Sequence, residues 1–288
     1  MSNSNSFDCG RLNFLSEALP FISEYSGSTF VIKYGGSAMQ NSSVKSDVIS
    51  DICLLYLLGI NLVLVHGGGF FINKWLARLN IKPIFHNGIR FTDHNTMEIV
   101  EMVLAGKLNK DLVSLFSVNN VLSIGLCGKD ASLIKASPLY NESNNLAGKV
   151  KSVDVKILNL LLSNRYLPVV ASVASDFNGK TYNINADSVA SAIASALKAD
   201  KLILLTDTPG ILLDINDSSS LIKNLNLSRI KELESSSIIS GGMIPKVNAC
   251  INSLESGVKS THIIDGRLKH SLLYELLTID RVGSMIVA

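Results

Sequence analysis

LVLVHGGGFF, residues 62–71, passes from a β-branched and aliphatic run through a histidine into three consecutive glycines and two phenylalanines. The apolar run suits a strand buried on both faces. Beyond the glycines, Phe71, Trp75 and Leu79 recur every four residues beside Ile72 and Leu76, with Asn73, Lys74 and Arg78 on the other side, which predicts an amphipathic helix. Glycines between such elements expose backbone N–H groups with no Cβ in the way, and the helix N-terminus adds partial positive charge. A plain turn needs one glycine; three predict a cradle for a phosphate or another oxyanion.

Working outward, short apolar runs at residues 29–32, 121–126, 167–173, 202–206 and 261–264 read as further buried strands. Helical periodicity separates them, with Val189, Ile193 and Leu197 in one stretch and Val247, Cys250, Ile251 and Leu254 in another. The alternation predicts an α/β fold, a three-layer sandwich with a mainly parallel central sheet. Loops at 33–37, 125–128 and 207–210 also follow strands, so they are expected to converge with the triple glycine on one crevice outside the strand ends. RLNFLSEALPFISEY, residues 11–25, places Leu12, Leu15, Leu19 and Ile22 at helical spacing, predicting a helix bent or interrupted at Pro20 that is either a surface helix or an oligomer contact.

Lys and Arg number 26 against 24 Asp and Glu, a net charge of +2, too little to neutralise a polynucleotide backbone, so no nucleic-acid partner is expected. Four cysteines lie far apart without a CxxC pair, and five histidines are scattered without HExxH, which predicts a reducing compartment and no protein-bound metal. His66 reads as packed rather than ligating. Residues 52–73 carry no charge, but Gly59, Asn61 and the glycines break the segment, so no membrane span is expected. The first residues, MSNSNSFDCGR, resemble neither a secretory signal nor a transit peptide.

Lys33 directly follows the first strand, and Lys246 opens a helix behind SGGMIP. Two cations beside glycine-rich backbone suit phosphoryl transfer, which relies on positioning and charge stabilisation. Asp187 either caps the helix it precedes or holds the two ammonium groups towards a phosphate. GxGxxG is absent; ASDFNGKT, residues 174–181, has Ala174 where a phosphate loop requires glycine and reads as a lid or hairpin turn.

KYGGSAM (33–39), HGGG (66–69), NGIRFTD (87–93), EIVEMVLAGKLNKDLVSL (98–115), YNINAD (182–187), GGMIPKV (241–247) and HIIDGRLKHSLLYELLT (262–278) together resemble the arginine-sensitive N-acetyl-L-glutamate kinases of the amino acid kinase family. The resemblance runs from about residue 28 onward and implies ATP-dependent phosphorylation of the side-chain carboxylate of N-acetyl-L-glutamate in arginine biosynthesis. It implies an N-terminal helical extension (1–27), an N-acetylglutamate-binding and dimerisation lobe (28–196) and an ATP-binding lobe (197–288). Lys33 and Lys246 would stabilise the phosphoryl group, with Asp187 organising both. Gly36, Gly68 and Gly69 would hold oxygens through their N–H groups, and Arg90 and Asn183 the α-carboxylate end of the substrate. Asp207, Gly210, Ile211, Leu212 and Gly242 would receive ATP, with Mg2+ carried by the nucleotide.

The same resemblance implies feedback inhibition by arginine, with Glu275 and Gly283 at the effector site. It also implies a homo-oligomer, a hexamer built as a trimer of dimers through the N-terminal helix, and a nitrogen-signalling PII protein as a partner. The expected location is the cytoplasm, or the plastid stroma for a plastid-encoded chain. The rival readings are another carboxylate or carbamate kinase of the same fold, or a non-catalytic arginine- or PII-responsive binding protein. The chain departs from the family pattern at Phe70 and Phe71, which replace a proline and an acid, at Ser172 and Ser175, at Ala131, where glycine is common, and at Arg281.

Overall fold

The computed structural model of the protein describes residues 9–86 and 88–288, with side chains throughout except at residues 9–15 and 37. In chain order the strands are β1 (Thr29–Tyr34), β2 (Asn61–His66), β3 (Phe85–His86), β4 (Ile89–Arg90), β5 (Ser123–Cys127), β6 (Ile134–Pro138), β7 (Ala147–Val153), β8 (Leu167–Ala171), β9 (Val173–Ser175), β10 (Thr181–Ile184), β11 (Lys201–Thr206), β12 (Asn224–Asn226), β13 (Ser260–Asp265) and β14 (Ser284–Val287). The helices are α1 (Cys9–Tyr25), α2 (Ser42–Leu57), α3 (Gly69–Arg78), α4 (His94–Glu101), α5 (Asn109–Val118), α6 (Lys156–Ser163), α7 (Ala186–Leu197), α8 (Leu227–Ser235), α9 (Met243–Glu255) and α10 (Ser271–Leu277). A π-helical segment, Met102–Leu108, joins α4 to α5.

One sheet of eight strands spans the molecule in the order β12-β14-β13-β11-β1-β2-β8-β5. Its six strands from β13 to β5 are parallel, while β14 runs antiparallel to β13 and pairs in parallel with β12. The sheet is mainly parallel, as the apolar runs predict. β1, β2 and β11 are buried from their second residue to their last, because helices cover both faces and leave no solvent side to select polar residues. α7 and α9 pack together over β1, β11 and β13, and α2 lies between α5 and α10. β11 pairs directly with β1, so the sheet runs without a break across residue 196.

Sequence periodicity does not expose the second, smaller sheet, a closed four-stranded ring of β6, β7, β9 and β10. The expected run 167–173 is divided between the two sheets: β8 ends at Ala171 and β9 begins at Val173. Residues 176–180 form the hairpin turn between β9 and β10, with Asp176 Oδ1 accepting from the N–H groups of Asn178 and Lys180 at 2.8 and 2.9 Å.

Two helix readings need correction. In α3 the buried residues are Ile72 and Leu76, while Trp75 and Leu79 are exposed; the helix packs against α4 and the π-helical segment by one narrow stripe, and its second apolar row faces outward next to Met102. Of the two outcomes expected at Pro20, interruption is excluded, because α1 is one helix through it, anchored on either side by buried Ala18 and Tyr25, whereas Leu19 of the expected stripe is exposed. Leu12 and Leu15 lie outside the described side chains. α1 packs on α10, and Glu17 accepts from the Ile279 N–H at 3.1 Å. Among the described residues no helix is long and apolar enough to cross a membrane.

Candidate active site

The carboxyl ends of β1 and β2 lie side by side, with Tyr34 in register with His66, so the glycines that follow each strand open on one cavity of about 320 Å³. Gly35, Gly36, Gly67, Gly68 and Gly69 all line it. Gly68 cannot be replaced without movement: a Cβ there would stand 2.7 Å from the Cδ2 atoms of both Leu104 and Leu108, which the π-helical segment presses against the loop. Gly36 has φ +67°, a conformation glycine adopts freely. No side chain caps α3, so its first N–H groups lack intrahelical acceptors and are available to an anion.

Lys33, at the end of β1, and Lys246, in the first turn of α9, meet across the cavity at Asp187. Lys33 Nζ stands 2.9 Å from Asp187 Oδ1 and Lys246 Nζ 3.0 Å from Oδ2. Asp187 is buried, which pushes its pKa up, but the two ammonium groups outweigh burial and hold it at about 2. Two cations against one anion leave the cluster with a net positive charge. The capping role that the sequence offers to Asp187 belongs to Asn185, whose Oδ1 accepts from the N–H groups of Asp187 and Ser188 at 2.8 and 3.2 Å.

Arg90 lines the same cavity. Its Nη2 donates to Asn73 Oδ1 at 2.6 Å and to Gly69 O at 3.3 Å, and its guanidinium lies 4.7 Å over the Phe85 ring. Nη1 is buried with no partner, a free donor of a planar fork that matches a carboxylate. Asn183 also lines the cavity, its Nδ2 donating to Thr92 Oγ1 at 3.2 Å. Sequence reasoning missed the supports of Arg90 and placed Asn73 on the solvent side of its helix. The available signal was its position one turn beyond Gly69, which returns it to the cavity side.

A second cavity of about 370 Å³ lies at the amino end of α9, lined by Thr208, Gly210, Ile211, Leu212, Ile238 and Met243 among others. Met243 belongs to this cavity and Lys246 to the first, so one helical turn separates the two spaces. Asp207 is exposed and Gly242 precedes α9; neither lines either cavity. The 125–128 loop is not brought into the crevice: Gly125 is inside β5, and Gly128 packs against Ala174 and Ile134 of the small ring. Glu275 and Gly283 sit together elsewhere, with Gly283 N–H donating to Glu275 Oε2 at 2.8 Å while Oε1 meets His262 Nδ1 at 2.8 Å.

Of the departures, Ser172 lines the first cavity and is buried, as is Ser175. Phe70 is exposed and stacks edge-on with Phe71 at 5.4 Å. Ala131 has φ +49°, a left-handed conformation costly for a residue with a Cβ. Arg281 donates to Asn224 Oδ1 at 2.9 Å.

Two ammonium groups sharing one carboxylate beyond parallel strand ends, with unhindered amides beside them, define a phosphotransferase-type site on an open α/β sheet. The chain belongs to the amino acid kinase family, whose model matches residues 28–265. It is 58% identical over 98% of its length to the acetylglutamate kinase of Gracilaria tenuistipitata var. liui, covering 99% of that protein. It is 53% identical over 99% of its length to the acetylglutamate kinase of Trichodesmium erythraeum, covering 97% of that protein. The fold also matches the N-acetylglutamate synthase of Neisseria gonorrhoeae, solved with coenzyme A and N-acetylglutamate, at TM-score 0.85 and 24% identity, over 96% of this chain and 63% of that one.

Proposed function

We propose that the protein is an acetylglutamate kinase, which transfers the γ-phosphoryl group of ATP to the side-chain carboxylate of N-acetyl-L-glutamate and yields N-acetylglutamyl 5-phosphate for arginine biosynthesis. The observation that carries this reading is that the Lys33–Asp187–Lys246 bridge lines one cavity with Arg90, whose buried Nη1 has no partner. The relatives named as acetylglutamate kinases support the choice of acceptor.

The acceptor carboxylate has an ordinary pKa of about 4.3 and is ionised at neutral pH, so the reaction needs no general base. Its difficulty is the approach of two anions. Arg90 and Asn183 hold the α-carboxylate end, and the amides of Gly36, Gly68 and Gly69 hold phosphoryl and nucleophile oxygens. Lys33 and Lys246 neutralise charge as the bridge oxygen leaves. Asp187 keeps both ammonium groups oriented. The second cavity takes the adenine nucleotide, its apolar walls facing the base. Magnesium carried by the nucleotide would supply further charge neutralisation of the phosphates; Asp187 is not free to hold it, since both its oxygens already face ammonium groups.

Regulation follows the same reading: arginine acts at Glu275, on the α10 helix that α1 packs against, and at Gly283, and α1 links dimers into a hexamer. The compartment is the plastid stroma or the cytoplasm, in keeping with relatives from plastid-bearing algae. The test is coupled ADP release with a panel of acceptors, with and without arginine, on protein of measured mass. Turnover of N-acetylglutamate supports the reading; turnover of carbamate or aspartate instead refutes it. Lys246→Ala lowers turnover by about 10²–10³.

A further inference from the structure

His66 is the last residue of β2, fully buried, and takes no part in the chemistry above. Its Nδ1 lies 3.1 Å from Gly67 O, and its Nε2 lies 3.1 Å from Asn109 Nδ2. The Asn109 amide can be oriented in one way only. Its Nδ2 also faces Val169 O at 2.8 Å and Leu126 O at 3.3 Å, both acceptors, while Lys110 Nζ donates to its Oδ1 at 3.2 Å. Asn109 Nδ2, an amide nitrogen, cannot accept from His66 Nε2, so the single proton of the neutral ring sits on Nδ1 and is donated to Gly67 O.

Stereochemistry carries this to the site. In a trans peptide the C=O of one residue and the N–H of the next point in opposite directions. Fixing Gly67 O towards the His66 ring turns the Gly68 N–H away from it, and Gly67 and Gly68 both line the cavity. Asn109 directly follows the π-helical segment whose Leu104 and Leu108 close on Gly68; single-turn π segments occur often at functional sites. We infer that His66 and Asn109 are positioning residues that set the tautomer and the peptide plane through which Gly68 presents its N–H to the transferring group. The inference rests on the proposed kinase reaction. Burial holds the His66 pKa at about 4, so the ring stays neutral at working pH.

The test combines nitrogen NMR of the His66 ring in the intact protein with kinetics of two variants. His66→Phe removes the donor, whereas His66→Asn keeps an amide donor near the place of Nδ1. The expected ring is the Nδ1–H tautomer. His66→Phe loses about 10–10²-fold in kcat with KM for both substrates within about threefold, and His66→Asn restores most of the loss. An Nε2–H tautomer, a folded His66→Phe with kcat within about threefold of the parent, or equal losses in both variants overturns the inference. If His66→Phe does not fold, the tautomer and the His66→Asn kinetics decide. An inactive parent protein refutes the kinase reading instead, and the tautomer still decides the orientation of the loop.

Discussion

Asn185 holds the backbone of Asp187: its Oδ1 accepts from the Asp187 N–H at 2.8 Å, and the Asp187 carboxylate is thereby left to bridge Lys33 and Lys246. One residue starts the helix so that its neighbour two places on can serve the site. Asn185→Ala removes the cap and costs about 1 kcal/mol of stability. Turnover falls further than that loss alone explains, because the first turn of α7 aims the carboxylate. Urea unfolding beside steady-state kinetics checks both; unchanged turnover in a destabilised variant would separate the cap from the site.

Acid should find the same bridge. Asp187 titrates at about 2 in the folded protein against an ordinary 3.8, so unfolding raises its proton affinity. A depressed carboxylate stabilises fully above its unfolded pKa, and that contribution is lost as pH falls from about 4 towards 2. The stability difference between the parent and Asp187→Asn is therefore large at neutral pH and shrinks in acid. A difference independent of pH would show that the bridge contributes nothing.

Arg90→Lys keeps the charge and discards the fork. Asn73 and Phe85 hold one side of the guanidinium and leave Nη1 without a partner, and a flexible ammonium cannot reproduce that geometry. KM for the acceptor rises by about tenfold or more while KM for ATP stays near its parent value. Equal changes for both substrates would move Arg90 out of the acceptor subsite.

Gly68→Ala forces a methyl into two leucine ends at 2.7 Å. Overpacking of this kind costs about 1–3 kcal/mol, and the displaced loop loses activity. Adding Leu108→Ala opens the space and recovers part of both. Full activity in Gly68→Ala alone would mean that the π-helical segment yields without moving the loop.

Five of the six parallel strands were legible because burial on both faces leaves them largely apolar, while β5, at the sheet edge, is half-buried through its first four residues. The ring strands were not: AGKVKSV and IKASP mix glycine, lysine and serine, and their register comes from closure on one another. Lys33, Asp187 and Lys246 could be picked from residue type beside glycine, but nothing in their spacing places two residues 213 positions apart on one carboxylate. Asn73 was misread because helical periodicity gives faces without saying which part of a face lies over a cavity. The cap, one of two roles the sequence left open for Asp187, falls instead to Asn185 two positions earlier, a choice between helix-starting residues that sequence does not decide.

The central claim is that Lys33 and Lys246 serve one transferring group. A crystal structure with N-acetylglutamate, magnesium ADP and a fluoride mimic of the phosphoryl group tests it directly. Both Nζ atoms should lie within about 3 Å of the mimic or its bridging oxygen, with Arg90 on the acceptor's α-carboxylate. A mimic contacted by one lysine while the other stays on Asp187 or turns to solvent would contradict the account.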